Sequence, residues 1–96
     1  MNKFNFTRAC VATQAAQAAC PDARMRQLLH RHFEGDWGEL SDADVQANEY
    51  ALKRGGDKLM SAFRIDQSKS YAGDNRVWII TDADRETTTV LLPEDY

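Results

Sequence analysis

The C-terminal segment Arg76–Tyr96 constrains the fold most. Two runs, Val77–Thr81 and Thr87–Leu92, are rich in β-branched, aromatic and aliphatic residues, which suit a pleated, half-buried surface. The polar stretch Asp-Ala-Asp-Arg-Glu between them reads as a hairpin loop. Pro93 cannot donate to a ladder and closes the second strand. Upstream, Leu59–Ile65 reads as another strand. Its Leu59, Ser61, Phe63 and Ile65 point one way, and its Met60, Ala62 and Arg64 the other. The polar, Gly- and Ser-containing stretch Asp66–Asn75 is a long hairpin loop. Three consecutive antiparallel strands form a meander.

Helices should precede the meander. Ala9–Cys20 is Ala-rich and free of helix breakers, so it is expected to be helical, with Thr7 as N-cap and Pro21 as the stop. Asp22 can cap a second helix, Ala23–Phe33, whose Met25, Leu28, Leu29 and Phe33 form one apolar stripe. Gly35 ends it. The turn Asp36-Trp37-Gly38 carries a large aromatic expected to fold back over one end of the core. Ser41 with Asp44 makes a capping box for a third helix that Gly55-Gly56 ends. On that helix Val45, Ala51 and Leu52 face inward. Asn48 shares the stripe and needs buried partners. Lys3–Thr7 alternates Phe4 and Phe6 with polar residues and reads as a short edge strand. The expected fold is α+β: about three N-terminal helices packed on one face of a three-stranded antiparallel meander, in a single domain over residues 1–96.

The middle strand is apolar on both sides, as expected for a sheet covered on both faces. Three short helices cover one. Either Phe4–Phe6 or a partner is expected over the other, around Met60, Leu91 and a middle-strand pair, and a homodimer through this sheet face is one such arrangement.

No apolar run is long enough to cross a bilayer, and Met1-Asn2-Lys3-Phe4 leads into no long apolar signal core, so a cytoplasmic protein is expected. Cys10 and Cys20 do not make a disulfide framework, and on one helix they would lie about 15 Å apart. The net charge of -3 argues against a general nucleic-acid binder. The charge is also uneven. Glu34, Asp36, Glu39, Asp42, Asp44 and Glu49 fall in a stretch to Leu52 that holds no Lys or Arg. Arg24, Arg26 and Arg31 precede it; Lys53, Arg54 and Lys58 follow.

Other constellations are weaker. Asp82, Asp84 and Arg85 lie in a hairpin loop, where Asp is favoured for its bonds to backbone amides. His30-Arg31-His32 puts its imidazoles on opposite sides of a helix, and both histidines read as surface residues flanking the stripe. No zinc signature, phosphate-binding loop or Ser-His-Asp arrangement is present, so no catalytic residue, metal or cofactor is expected.

Gly35-Asp36-Trp37-Gly38, Asn48, Ala51-Leu52, Ser61-Ala62-Phe63, Trp78–Arg85 and Thr88–Tyr96 together carry a resemblance. The chain resembles, over about Leu29–Tyr96, a largely uncharacterised family of small plasmid, phage and mobile-element proteins. Some of these are labelled as type I restriction subunit-like. Asp82 and Glu86 depart from the family's more usual Glu and Ser. The resemblance implies a mobile-element setting and supplies no catalytic residues. Together with the acidic stretch it leads to an expected non-enzymatic accessory protein. This would bind a basic protein partner through Glu34, Asp36, Trp37, Glu39, Asp42, Asp44 and Glu49, and could inhibit a restriction or CRISPR complex. A nucleic-acid-associated regulator using Arg24, Arg26, Arg31, Lys53 and Arg54 is the competing reading, and an enzyme around Asp82 and Asp84 the third.

Overall fold

In the computed structural model, which describes residues 7–96, the Ala-rich segment divides at Thr13. Ala9–Ala12 is a strand (β1) and Gln14–Ala19 a short helix (α1). Thr13 Oγ1 accepts from the Ala16 N–H at 3.1 Å, so Thr13 and not Thr7 is the cap. The helix expected from Ala9 is thus corrected. Alanine's helix propensity is a weak preference, and a strand ladder outweighs it here. The N–H groups of Ala9 and Thr13 donate to the carbonyls of Glu86 and Val90, each at 3.0 Å. The edge strand expected over residues 3–7 lies outside the described residues, apart from Thr7, which belongs to no strand.

The chain continues through α2 (Asp22–Phe33), α3 (Asp42–Arg54), β2 (Leu59–Arg64), β3 (Arg76–Thr81) and β4 (Thr87–Leu91), then a 3-10 turn, Pro93–Asp95. Among the described residues the strands form one four-stranded sheet, ordered β1-β4-β3-β2. β2 with β3 and β3 with β4 pair antiparallel, but β1 pairs parallel to β4. The expected three-stranded antiparallel meander is therefore incorrect: the sheet is mixed. Its parallel edge joins the two ends of the chain, and no local pattern announces a pairing of such separation.

Register decides which residues meet the helices. Leu59 lies opposite Thr81, Ser61 opposite Ile79 and Phe63 opposite Val77. Ile79 lies opposite Val90 and Thr81 opposite Thr88. These residues form the inner face, all of them buried. Phe63, Val77, Ile79 and Val90 pack with Ala16, Cys20 and Leu28 in one core; Leu59, Trp37 and Ala51 form a second. Trp37 thus closes one end, fixed by its apolar bulk. Ser41 Oγ accepts from Asp44 N–H at 3.3 Å and starts α3. Ser41→Ala should cost about 1 kcal/mol, read as a lowered urea midpoint with unchanged slope.

Trp78, Ile80 and Leu91 lie on the outer face. The C-terminal turn packs against β3, Tyr96 meets Trp78 edge-on at 5.7 Å, and the Trp78 indole N–H donates to Tyr71 Oη at 2.9 Å. Ile80 and Leu91 are consequently buried. The C-terminus supplies part of the cover that was expected from Phe4–Phe6 or a partner; residues 4 and 6 lie outside the described residues.

The two sheet edges are treated differently. Along β2, the Asn48 amide accepts from Met60 N–H at 3.0 Å and donates to Met60 C=O at 2.6 Å. Ala62 N–H donates to Trp37 C=O, and Glu39 N–H to Ala62 C=O. Arg24 donates to the carbonyls of Arg64 and Ile65. This edge is closed along its length. Among the described residues, no side chain or loop closes the β1 edge in this way.

Candidate functional site

The acidic stretch runs from the end of α2, through the loop, into α3. Glu34, Asp36, Glu39, Asp42, Asp44 and Glu49 are all exposed, while Trp37 is buried among them. Four of the six have defined partners. Glu34 lies 2.6 Å from His30 Nε2 one helical turn earlier. Asp36 Oδ2 accepts from Arg31 Nε at 2.8 Å, and its Oδ1 accepts from the Gly38 N–H at 3.1 Å, which sets the turn. Glu39 sits 3.3 Å from Arg64 Nε, an ion pair without hydrogen-bond alignment. Glu49 Oε2 accepts from the Trp37 indole N–H at 2.8 Å. Asp42 and Asp44 occupy the first turn of α3, where the helix dipole favours negative charge. Exposed ion pairs of this kind contribute little stability, and the Arg31 and Arg64 cations offset part of the charge of Asp36 and Glu39.

Two grooves flank α3. One, about 180 Å³, lies between α3 and β2 and is lined by Leu40, Asp44, Ala47, Lys58 and Met60. The other, about 520 Å³, is lined by Gln46, Glu49, Tyr50, Leu52 and Lys53, and its Tyr50 is 64% exposed. Both have acidic residues at their margins.

The basic residues weighed for phosphate contact are largely engaged within the fold. Arg24 binds the β2 carbonyls and Gln67; Arg31 pairs with Asp36 and lies over the Phe63 ring at 4.7 Å; Arg54 lies over Tyr50 at 5.5 Å. Arg26 and Lys53 remain exposed. Asp82 and Asp84 shape the β3–β4 loop. Asp82 N–H donates to Thr87 C=O, and Asp84 Oδ1 accepts from Glu86 N–H. Arg85, at a φ of 62°, donates to the carbonyls of Ala51 and Asp57 and ties the loop to the end of α3.

The buried constellation missed in the sequence centres on His32, which is fully buried rather than a surface residue. Its Nδ1 meets Ser61 Oγ at 2.6 Å and its Nε2 meets Thr81 Oγ1 at 2.9 Å. Thr81 continues to Thr88 at 2.7 Å, and Thr88 to Thr7 at 2.9 Å. A neutral imidazole has one donor and one acceptor, and a hydroxyl can complement either. Burial holds the His32 pKa down, to about 3, so the ring is neutral at physiological pH. A histidine beside a serine hydroxyl could activate a nucleophile. Here His32, Ser61, Thr81 and Thr88 are all closed off from solvent, and the array instead joins α2 to the inner face of the sheet. Its signal lay in the stripe: His32 follows Leu28 by four residues and Met25 by seven.

Among the described residues no three His, Cys, Asp or Glu side chains converge to hold a metal ion, and no helix is long and apolar enough to cross a membrane. Both cysteines are free. Cys20 is buried, which pushes its thiol pKa up, and Cys10 is exposed on β1 rather than on a helix. No protein-family model, curated protein or solved structure matches this chain.

Proposed function

We propose that this chain is a non-enzymatic, cytoplasmic accessory protein of a mobile element. It docks on a basic protein surface through Glu34, Asp36, Glu39, Asp42, Asp44 and Glu49, arranged around Trp37. One observation carries the reading: six exposed carboxylates lie on a backbone anchored by the buried Trp37 and by the pairing of Gly38 with Ala62. A fixed charged surface steers an oppositely charged partner and loses little freedom on binding. The mobile-element setting comes from the resemblance of the Trp78–Pro93 string. A host defence complex of the restriction or CRISPR type, whose nucleic-acid-binding surface is basic, is the partner class that suits an acidic surface.

Glu34→Lys combined with Asp42→Lys tests this reading with little risk to the fold. Glu34 holds an exposed pair with His30, and Asp42 stands exposed at a helix start. With a partner obtained by affinity capture from a native host, the double variant should associate at least about tenfold more slowly at low salt. The difference should shrink as salt shortens the Debye length. An unchanged rate in a variant with intact circular dichroism would remove the acidic surface, and capture of nucleic acid in place of protein would overturn the partner class.

A further inference from the structure

The β1 edge points to a second copy of this chain. In the parallel ladder Ala9 and Thr13 donate inward to β4, so the N–H and C=O of Cys10, between them in phase, face outward. No described residue reaches these two groups. The neighbouring Ala12 C=O takes only the Gln17 side chain, at 2.9 Å. The strand reads Ala-Cys-Val-Ala, without the Lys, Pro or bulge that commonly protects an edge. Val11 is 51% exposed. The opposite edge is closed by Asn48, Trp37, Glu39 and Arg24, so among the described residues the β1 edge contrasts with it.

We propose that β1 pairs antiparallel with β1 of a second copy about a two-fold axis at Cys10, joining two four-stranded sheets into one. The sequence is self-complementary in this register. Ala9 faces the second copy's Val11, a small residue against a larger one, and Arg8 faces Ala12, so no like charges oppose. Cys10 stands opposite its symmetry mate at a hydrogen-bonded position. Cα atoms there lie about 5.5 Å apart, inside the range a disulfide can span. The thiol serves as a reporter of register; main-chain hydrogen bonds hold the pair. The interface is small, so association is expected to be weak and concentration-dependent. It lies outside the acidic docking surface and does not depend on it.

Sedimentation velocity up to about 1 mM protein tests the pairing. The mass should rise toward the dimer. Val11→Lys, placing a charge on the exposed edge, should raise the dissociation constant at least about tenfold. Cys10→Ser should leave the mass profile unchanged. Oxidation with diamide, which takes two electrons and two protons from a pair of thiols, should yield a dimer linked Cys10 to Cys10. If Val11→Lys loses its circular dichroism, Ala9→Lys makes the same test. A monomer at every concentration overturns the proposal, and would leave the edge to a foreign strand. A dimer indifferent to both lysine variants, or one that gives no Cys10 cross-link, overturns it as well.

Discussion

Gly38→Ala should destabilise the protein by about 3–5 kcal/mol, a large part of the roughly 5–15 kcal/mol that holds a domain of this size together. At its φ of 71°, a Cβ would lie 2.0 Å from the Ala62 carbonyl oxygen and 2.7 Å from the Phe63 ring. The backbone carbonyl cannot move without opening the pairing of the loop with β2. Gly55 is the internal control. Its φ is 73°, yet nothing lies within 4 Å of its would-be Cβ. With its ψ of -172° it holds a conformation essentially reserved for glycine, so Gly55→Ala should cost that backbone strain alone, on the order of 1–3 kcal/mol. Urea titrations of the two variants separate sterics from backbone strain, and equal losses would mean that the loop does not press on β2 as described.

Stability should fall steeply as the pH drops from about 6.5, because His32 is buried neutral. Its ordinary pKa of 6.5 is lowered to about 3 in the fold, so below 6.5 the unfolded chain binds a proton that the folded chain refuses. The stabilisation is fully present above pH 6.5. It is lost by roughly 1.4 kcal/mol per pH unit on the way down toward 3. By pH 4.5 the loss relative to high pH amounts to about 2.7 kcal/mol. Asp66 and Asp95, whose carboxyls are held below the usual range by hydrogen bonds to Ser68 and to Thr13 respectively, lose their contributions at lower pH. His32→Gln should flatten the profile between 6.5 and 4.5 while lowering stability at pH 7 through the lost imidazole bonds. Parallel profiles for the parent and the variant in that window would contradict a buried neutral His32.

Much of this fold could be read from residue order. Met25, Leu28, Leu29 and Phe33 marked the core face of α2. Ser41 marked the start of α3, and the alternation of Leu59, Ser61 and Phe63 identified the inner face of β2. Asn48 on an apolar stripe demanded buried partners, and Met60 supplies both. What failed shares a cause. Ala9–Ala12 becomes a strand only because β4, at the far end of the chain, offers a ladder, and local propensity carries no trace of that. His32 reads as a surface residue because a titratable side chain on a helix is usually solvated; its position on the stripe is visible, but its hydroxyl partners, Ser61 and Thr81, come from two separate strands distant in sequence. The acidic residues were legible as a charge run. That Asp36 sets a turn, that Glu49 anchors Trp37 and that Arg64 meets Glu39 follow from loop geometry, which composition does not encode.

The claim that residues 34–49 form a docking surface is tested most directly by hydrogen–deuterium exchange of the protein alone and with its captured partner. Protection should concentrate in amides from Glu34 to Glu49, including the loop around Trp37, and should weaken at high salt. Protection confined to the β3–β4 hairpin or the C-terminal turn, with residues 34–49 unchanged, would contradict it.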